Sequence, residues 1–145
     1  MKLSAKTEYA CIAMLELARR YERGEPVRIR DIADEHGIPS RFLVQILLQL
    51  KGAGYVASTR GAAGGYQLIK APATISLGEV MNVIEGKENG HSAASTASTA
   101  KSPTARVLSG IWRDITAREQ EMLQAINFAD LAEKTKQTAA QMYYI

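Results

Sequence analysis

Apolar residues recur at helical spacing from residue 4 to about 22, with Tyr9, Ile12, Ala13 and Leu17 on one face and Gly24 beyond the end. Pro26 and Val27 predict a short extended link. A second, short helix over 28–36 turns Ile29, Ile32 and Ala33 inward. Gly37 stops it, because glycine takes the left-handed cap without steric cost. A third helix starts at Pro39 or Ser40 and runs to Lys51 over Phe42, Leu43, Ile46, Leu47 and Leu50, and the glycines at 52 and 54 end it. Residues 55–59 and 66–70 are β-rich runs joined by RGAAGG, which predicts a hairpin with a glycine-rich tip. A fourth helix, or a turn and a helix, covers 74–84 and stops at Gly86.

Residues 90–105 hold twelve Ser, Thr or Ala in sixteen positions and no large apolar side chain. Such a segment buries too little surface to offset its ordering entropy, so 87–103 is expected to be a flexible loop. A long helix follows over 104–127, striped by Leu108, Ile111, Ile115, Met122 and Ile126 and interrupted once by Arg118. This stripe exceeds what one small domain can cover and predicts a dimer interface. The chain closes over 128–145 with a polar segment ending in Met142, Tyr143, Tyr144 and Ile145. The expected fold is mainly α with a small β-hairpin wing: a winged helix-turn-helix over 1–86 plus a long C-terminal dimerisation helix.

The 145 residues, 46% hydrophobic and 23% charged, describe a globular chain. No run of eighteen apolar residues occurs and the start lacks the apolar core of a signal peptide, so a cytoplasmic, membrane-free protein is expected. A single cysteine, Cys11, excludes an intrachain disulfide framework and a multi-thiolate metal site. It sits mid-helix among apolar residues and reads as a buried small hydrophobe in preference to a redox sensor. Net charge is only +3, but residues 1–70 carry eleven Lys+Arg against seven Asp+Glu. No acid occurs between Glu35 and Glu79, while Arg41, Lys51, Arg60 and Lys70 fall inside that span. A surface that approaches phosphate excludes carboxylates; a buried segment would lack them too.

A helix, a Gly-centred turn and a second helix over 28–51 have the arrangement of a helix-turn-helix, which an ordinary helical hairpin also shares. Ala33 is small at the crossing and Ile38 plugs the gap between the helices. The first turns of the second helix expose Ser40, Arg41, Val44 and Gln45. Arg41 suits guanine or phosphate, and Gln45 adenine or a phosphate oxygen. At the hairpin tip Arg60 is the one charge among small residues, placed to enter a narrow minor groove, with Gly64 and Gly65 permitting close backbone approach, although the glycine pair taken by itself reads as a tight turn. No GK[ST] follows the glycines, so a phosphate-cradling P-loop is excluded.

Taken in order, MKLSAKTEYACIAMLELA, IRDIADEHGIPSRFLVQIL, LKGAGYVASTRGAAGGYQLIKAP and ISLGEVMNVIEG resemble the Rrf-two (Rrf2) family of bacterial repressors, closely over 1–86 and loosely through IWRDI to about Leu131. The resemblance implies a homodimer on a near-palindromic operator. It carries DNA contact onto Arg41, Gln45 and Arg60, and also onto Ser40, Gly64 and Gly65. Some members have an acid where this chain has Val44, which implies a different base preference there. Cluster-binding members carry three cysteines in the loop where this chain has its Ser/Thr/Ala segment, and Arg106 stands about where one thiolate would lie. Hydroxyls and methyls do not replace thiolates on iron.

The sequence therefore predicts a homodimeric, sequence-specific transcriptional regulator, a repressor acting on double-stranded DNA, with no metal or other cofactor. Within the family, the alternative is an iron–sulfur cluster sensor with its cysteines replaced. Outside it, the alternative is a protein-interaction module that binds a metabolic enzyme. Any small effector is undetermined. No Ser-His-Asp set, metal triad or paired carboxylates point to an enzyme, and His91 reads as a solvated surface residue.

Overall fold

The protein is described by a computed structural model over residues 1–86 and 102–143. Most of the expected flexible loop, 87–101 with His91, lies outside the described residues, as do Tyr144 and Ile145.

Helix α1 (Ala5–Arg19) begins at Ser4, whose hydroxyl accepts from the Thr7 amide at 3.1 Å. Its most buried positions are Thr7, Ala10, Ala13, Met14 and Leu17. Tyr9 and Ile12, expected on the inward face, are only half-buried, because the three helices that pack on α1 centre on Ala10, Ala13, Met14 and Leu17. Small residues at 10, 13 and 18 let those neighbours approach. A 3-10 turn (Tyr21–Arg23) follows and closes at Gly24 in the left-handed conformation.

Helices α2 (Ile29–His36) and α3 (Ser40–Gly52) meet at Gly37, whose φ is +64°. Ile38 returns its amide to the Ala33 carbonyl and is 3% exposed, which seals the crossing. Leu43, Ile46, Leu47 and Leu50 of α3 are fully buried. Strands β1 (Val56–Thr59) and β2 (Gly65–Leu68) pair antiparallel, with Val56 opposite Leu68 and Thr59 opposite Gly65. The extended link adds a third rung: Val27 and Tyr66 exchange both backbone hydrogen bonds at 2.8 Å. After a 3-10 turn (Pro72–Thr74), α4 (Leu77–Glu85) starts in a capping box between Ser76 and Glu79.

Helix α5 (Pro103–Ala125) has 23 residues and is about 35 Å long at 1.5 Å per residue. It ends before Ile126, which is extended and half-buried, so Ile126 does not continue the helical stripe expected of it. The polar segment expected over 128–145 is instead a sixth helix, α6 (Phe128–Tyr143), packed on α1. Asn127 caps its start by accepting from the Asp130 amide at 2.9 Å. Phe128 is fully buried, and Leu131 and Ala132 pack against the same core, so an apolar face at i, i+3, i+4 is present after all. A short backbone ladder fixes this joint: the Leu77 amide donates to Ile126 (2.8 Å) and the Phe128 amide to Ile75 (3.1 Å).

Because Phe128 belongs to the core of the winged region, Phe128→Ala is expected to destabilise the whole fold by about 3–5 kcal/mol. Chemical denaturation followed by circular dichroism measures this; a loss confined to α6 with an unchanged main transition would contradict it.

Candidate nucleic-acid interface

Helix α3 buries one side and leaves Ser40, Arg41, Val44, Gln45 and Leu48 exposed on the other. Ser40 is the first residue of the helix, and no side chain caps its amides. Arg41 lies with its guanidinium 5.3 Å from the Phe42 ring centroid, and Phe42 in turn packs against Tyr9 at 5.9 Å. Gln45 stands one turn further along. Arg60 follows the last residue of β1 and is exposed at the wing tip.

The two glycines that follow have a role in closing the hairpin. A Cβ on Gly64 would collide with the Thr59 carbonyl oxygen, and one on Gly65 would lie 2.5 Å from the carbonyl oxygen of Val27. Both neighbours are backbone and have little room to move. The close approach that glycine permits here is therefore to the chain itself: β2 rests directly on the Val27 link. Sequence spacing does not distinguish this packing from an approach to a ligand, because both require a missing side chain.

Arg28, which the sequence reading did not single out, precedes α2 and donates to the Ala62 carbonyl in the wing tip. It ties the wing to the start of the helix-turn-helix. Two other cations of this region are likewise held by uncharged groups. Lys51 donates to the Ser58 hydroxyl at 2.8 Å, and Lys70 lies 4.8 Å over the Tyr55 ring. Among the described residues, none of Arg28, Arg41, Lys51, Arg60 or Lys70 forms an ion pair with a carboxylate. Their field is left uncompensated, which is the condition for drawing an anionic polymer.

Carboxylates are neutralised elsewhere. Glu16, with its side chain only 4% exposed, receives Arg19 Nη1 at 2.8 Å and His36 Nε2 at 3.2 Å, with Arg20 at 3.8 Å from its second oxygen. Arg20 also reaches Glu35 at 3.5 Å. This network joins α1 to the end of α2, so it fixes the angle at which the helix-turn-helix is held. The spacing of Glu16 to Arg19 and Arg20 is a local signal for part of this network, whereas His36 comes from another helix and has none.

The long helix presents a different surface. Leu108, Ile111, Ile115 and Met122 are 46–67% exposed, as are Val107 and Trp112 between them. Only Leu123 is buried on α5, where it packs against Gly78 of α4.

A family model described as "Rrf2: Iron-dependent Transcriptional regulator" matches residues 3–134. The chain is 46% identical over 86 residues to an Rrf2-like HTH-type transcriptional regulator of Rhodobacter capsulatus, covering 58% of this chain and 57% of that protein. It is 32% identical over 146 residues to the HTH-type transcriptional regulator CymR of Bacillus subtilis, covering all of both. It is 33% identical to IscR of Aliivibrio salmonicida, covering 90% of this chain and 77% of that one. Among solved structures, IscR of T. potens superposes with a TM-score of 0.78 at 30% identity, over 95% of this chain and 90% of that one. CymR of B. subtilis gives 0.75 at 29%, over 92% and 98%. These relatives are transcriptional regulators, a class without catalytic activity. The winged-helix fold expected from the sequence is the fold of these structures.

An iron–sulfur cluster takes about four strong ligands, chiefly thiolates. Cys11 is the one cysteine; it packs against the core on α1, and burial followed by the charges of Glu85 and Glu8 raises its thiol to about 11. At neutral pH it is a protonated thiol and a poor ligand. Glu16, Glu35 and His36 form, among the described residues, a set of donors within 4.8 Å of one another, but Arg19 and Arg20 already stand there as the cations. The described residues do not fit a cluster. No helix among them is long and apolar enough to cross a membrane.

The wing depends on two seats, Gly65 on Val27 and Arg28 on Ala62. Arg28→Ala is expected to raise amide hydrogen exchange across 60–65 by about tenfold while melting temperature stays within a few degrees, and Gly65→Ala to destabilise the protein by about 1–3 kcal/mol. Unchanged exchange in the Arg28 variant would show that the wing tip holds itself.

Proposed function

This chain belongs to the Rrf2 family of transcriptional regulators, and from that premise we propose that it is a homodimeric repressor that binds a near-palindromic operator. Helix α3 reads the major groove through Arg41 and Gln45, with Ser40 at the backbone and Val44 offering apolar contact to thymine methyls. Arg60 at the wing tip enters the adjacent minor groove, with Gly64 and Gly65 holding the tip in shape. The observation that carries this reading is electrostatic. The exposed face of α3 and the wing tip both fall within residues 36–78, a span without acids, and three of its cations, Arg41, Lys51 and Lys70, are held by ring or hydroxyl partners in place of carboxylates.

The exposed stripe on α5 supports the dimer. Leu108, Ile111, Ile115 and Met122 lie along one helix with no cover among the described residues. Exposed apolar area of this extent on a long helix marks an association surface. A twofold pairing of these helices presents two copies of α3 to successive half-sites. Ile126 takes no part in this stripe by geometry; its backbone is engaged with Leu77.

Operator sites recovered by in vitro selection with the full chain provide the substrate for the test. Arg41→Ala and Gln45→Ala are each expected to cost about 1–3 kcal/mol and to relax preference at one base pair if they contact base edges. Arg60→Ala is expected to weaken all sites with little change in melting temperature. Unchanged affinity and preference in all three variants would exclude this face as the DNA-reading surface. Ile115→Asp is expected to yield monomers in analytical ultracentrifugation and with them loss of palindrome binding; a variant that stays dimeric overturns the assignment of α5.

A further inference from the structure

The two arginines of the candidate interface differ in how they are held. Arg60 has no hydrogen bond, ion pair or ring contact with any described residue. Arg41 lies with its guanidinium over the Phe42 ring, 5.3 Å from the centroid. Helix geometry does not produce that contact unaided. Neighbouring residues leave an α-helix about 100° apart at 3.6 residues per turn, so an arginine directed straight out from position 41 points away from position 42. Arg41 instead folds along the helix surface to reach the ring.

Phe42 is itself fixed from behind. It is half-buried against the core, and Tyr9 of α1 meets it in a tilted arrangement with centroids 5.9 Å apart and planes at 52°. Tyr9 also packs against the core and precedes the fully buried Ala10. A chain of contacts thus runs from α1, through two rings, to a charged group on the exposed face of α3. Nothing in it diminishes what Arg41 can offer a ligand. A ring attracts a cation without cancelling its charge, and no carboxylate among the described residues pairs with Arg41. The ring contact also spends no hydrogen-bond donor, so the five N–H groups stay available.

We propose that Tyr9 and Phe42 are positioning residues for base reading: the tilted pair holds Arg41 in one orientation on α3 and sets the preference at the base pair that Arg41 reads. This rests on the assignment of Arg41 to DNA above. Bidentate recognition of guanine needs the guanidinium fork in a defined orientation, and a side chain confined before docking loses less freedom on docking. The two arginines therefore do different work. Arg41, held by the rings, discriminates among bases, while Arg60, unheld, supplies attraction common to all sequences.

The test uses the full chain with Phe42→Leu and Tyr9→Leu, which keep apolar bulk, and Phe42→Tyr, which keeps the ring; melting curves establish which of them fold. Without DNA, NMR relaxation of the arginine Nε–H groups is expected to find Arg41 more restricted than Arg60, a comparison that needs no variant. Phe42→Leu is expected to release Arg41 to the mobility of Arg60, and Phe42→Tyr to keep it restricted. On operators recovered by selection, Phe42→Leu is expected to lower the preference at the Arg41 base pair about two- to fivefold, the range of an exposed cation–π contact, and to leave the other base pairs unchanged. Tyr9→Leu acts in the same direction, Phe42→Tyr retains the preference, and Phe42→Leu has no further effect on it in an Arg41→Ala background. Wild-type Arg41 as mobile as Arg60, or full preference in a folded Phe42→Leu variant, overturns the proposal. An equal loss at every base pair overturns it as well, since that marks a purely structural role. Unchanged preference in Arg41→Ala alone removes the underlying DNA assignment and this proposal with it, and the relaxation measurement, made without DNA, still reports whether the rings hold Arg41.

Discussion

Helix α1 is enclosed by α3, α4 and α6 together, and this enclosure decides where the remaining elements lie. Two polar side chains of this helix, Thr7 and Glu16, are buried by that packing, and both find partners within the protein. Thr7 donates to Glu85 at 3.0 Å and thereby fixes the end of α4. Glu16 gathers Arg19, Arg20 and His36 and thereby fixes the end of α2. A carboxylate this deeply buried is tolerated only while its counter-ions stay in place. The orientation of the helix-turn-helix thus rests on a charge network located on its inner side.

Two populations of charge follow from that arrangement. Glu16 and Glu35 of the first two helices are matched by neighbouring cations, while Arg41, Lys51 and Lys70 rest on Phe42, Ser58 and Tyr55, and Arg28 on a backbone carbonyl. Aromatic rings and hydroxyls restrict a side chain without cancelling its charge. A positive face built this way is ordered and still fully charged. Ordering matters as much as sign, because a pre-positioned arginine loses less freedom when it meets a phosphate or a base.

The C-terminal half divides its apolar residues between two tasks. Phe128, Leu131 and Leu123 complete the core around α1 and α4, while Leu108, Ile111, Trp112 and Ile115 project from the far part of α5 into the open. The ladder between 75–77 and 126–128 separates these tasks, since it anchors one end of α5 rigidly to the winged region. The exposed apolar stripe on that helix is thereby held at one end to the winged region.

Much of this was legible from residue order. Periodicity located α1 through α5, Gly37 and Ile38 disclosed the turn, and the missing acids between Glu35 and Glu79 disclosed the charged face. These are local properties: a helix face, a left-handed cap or a charge count needs no knowledge of distant residues. Helix α6 escaped because its apolar face is short and its polar residues are many, so its helicity depends on Phe128 entering a core built by residues more than a hundred positions away. Gly64 and Gly65 read as a tight turn or as points of access, because spacing reports a missing side chain but not its neighbours, which are Thr59 and Val27. Arg28 on Ala62 and His36 on Glu16 are meetings of residues from different elements. Sequence by itself determined helices α1 to α5, the two strands of the hairpin and where positive charge accumulates. Tertiary structure alone decided which groups meet, because contact depends on how the elements cross in space, and neither period nor composition carries that information.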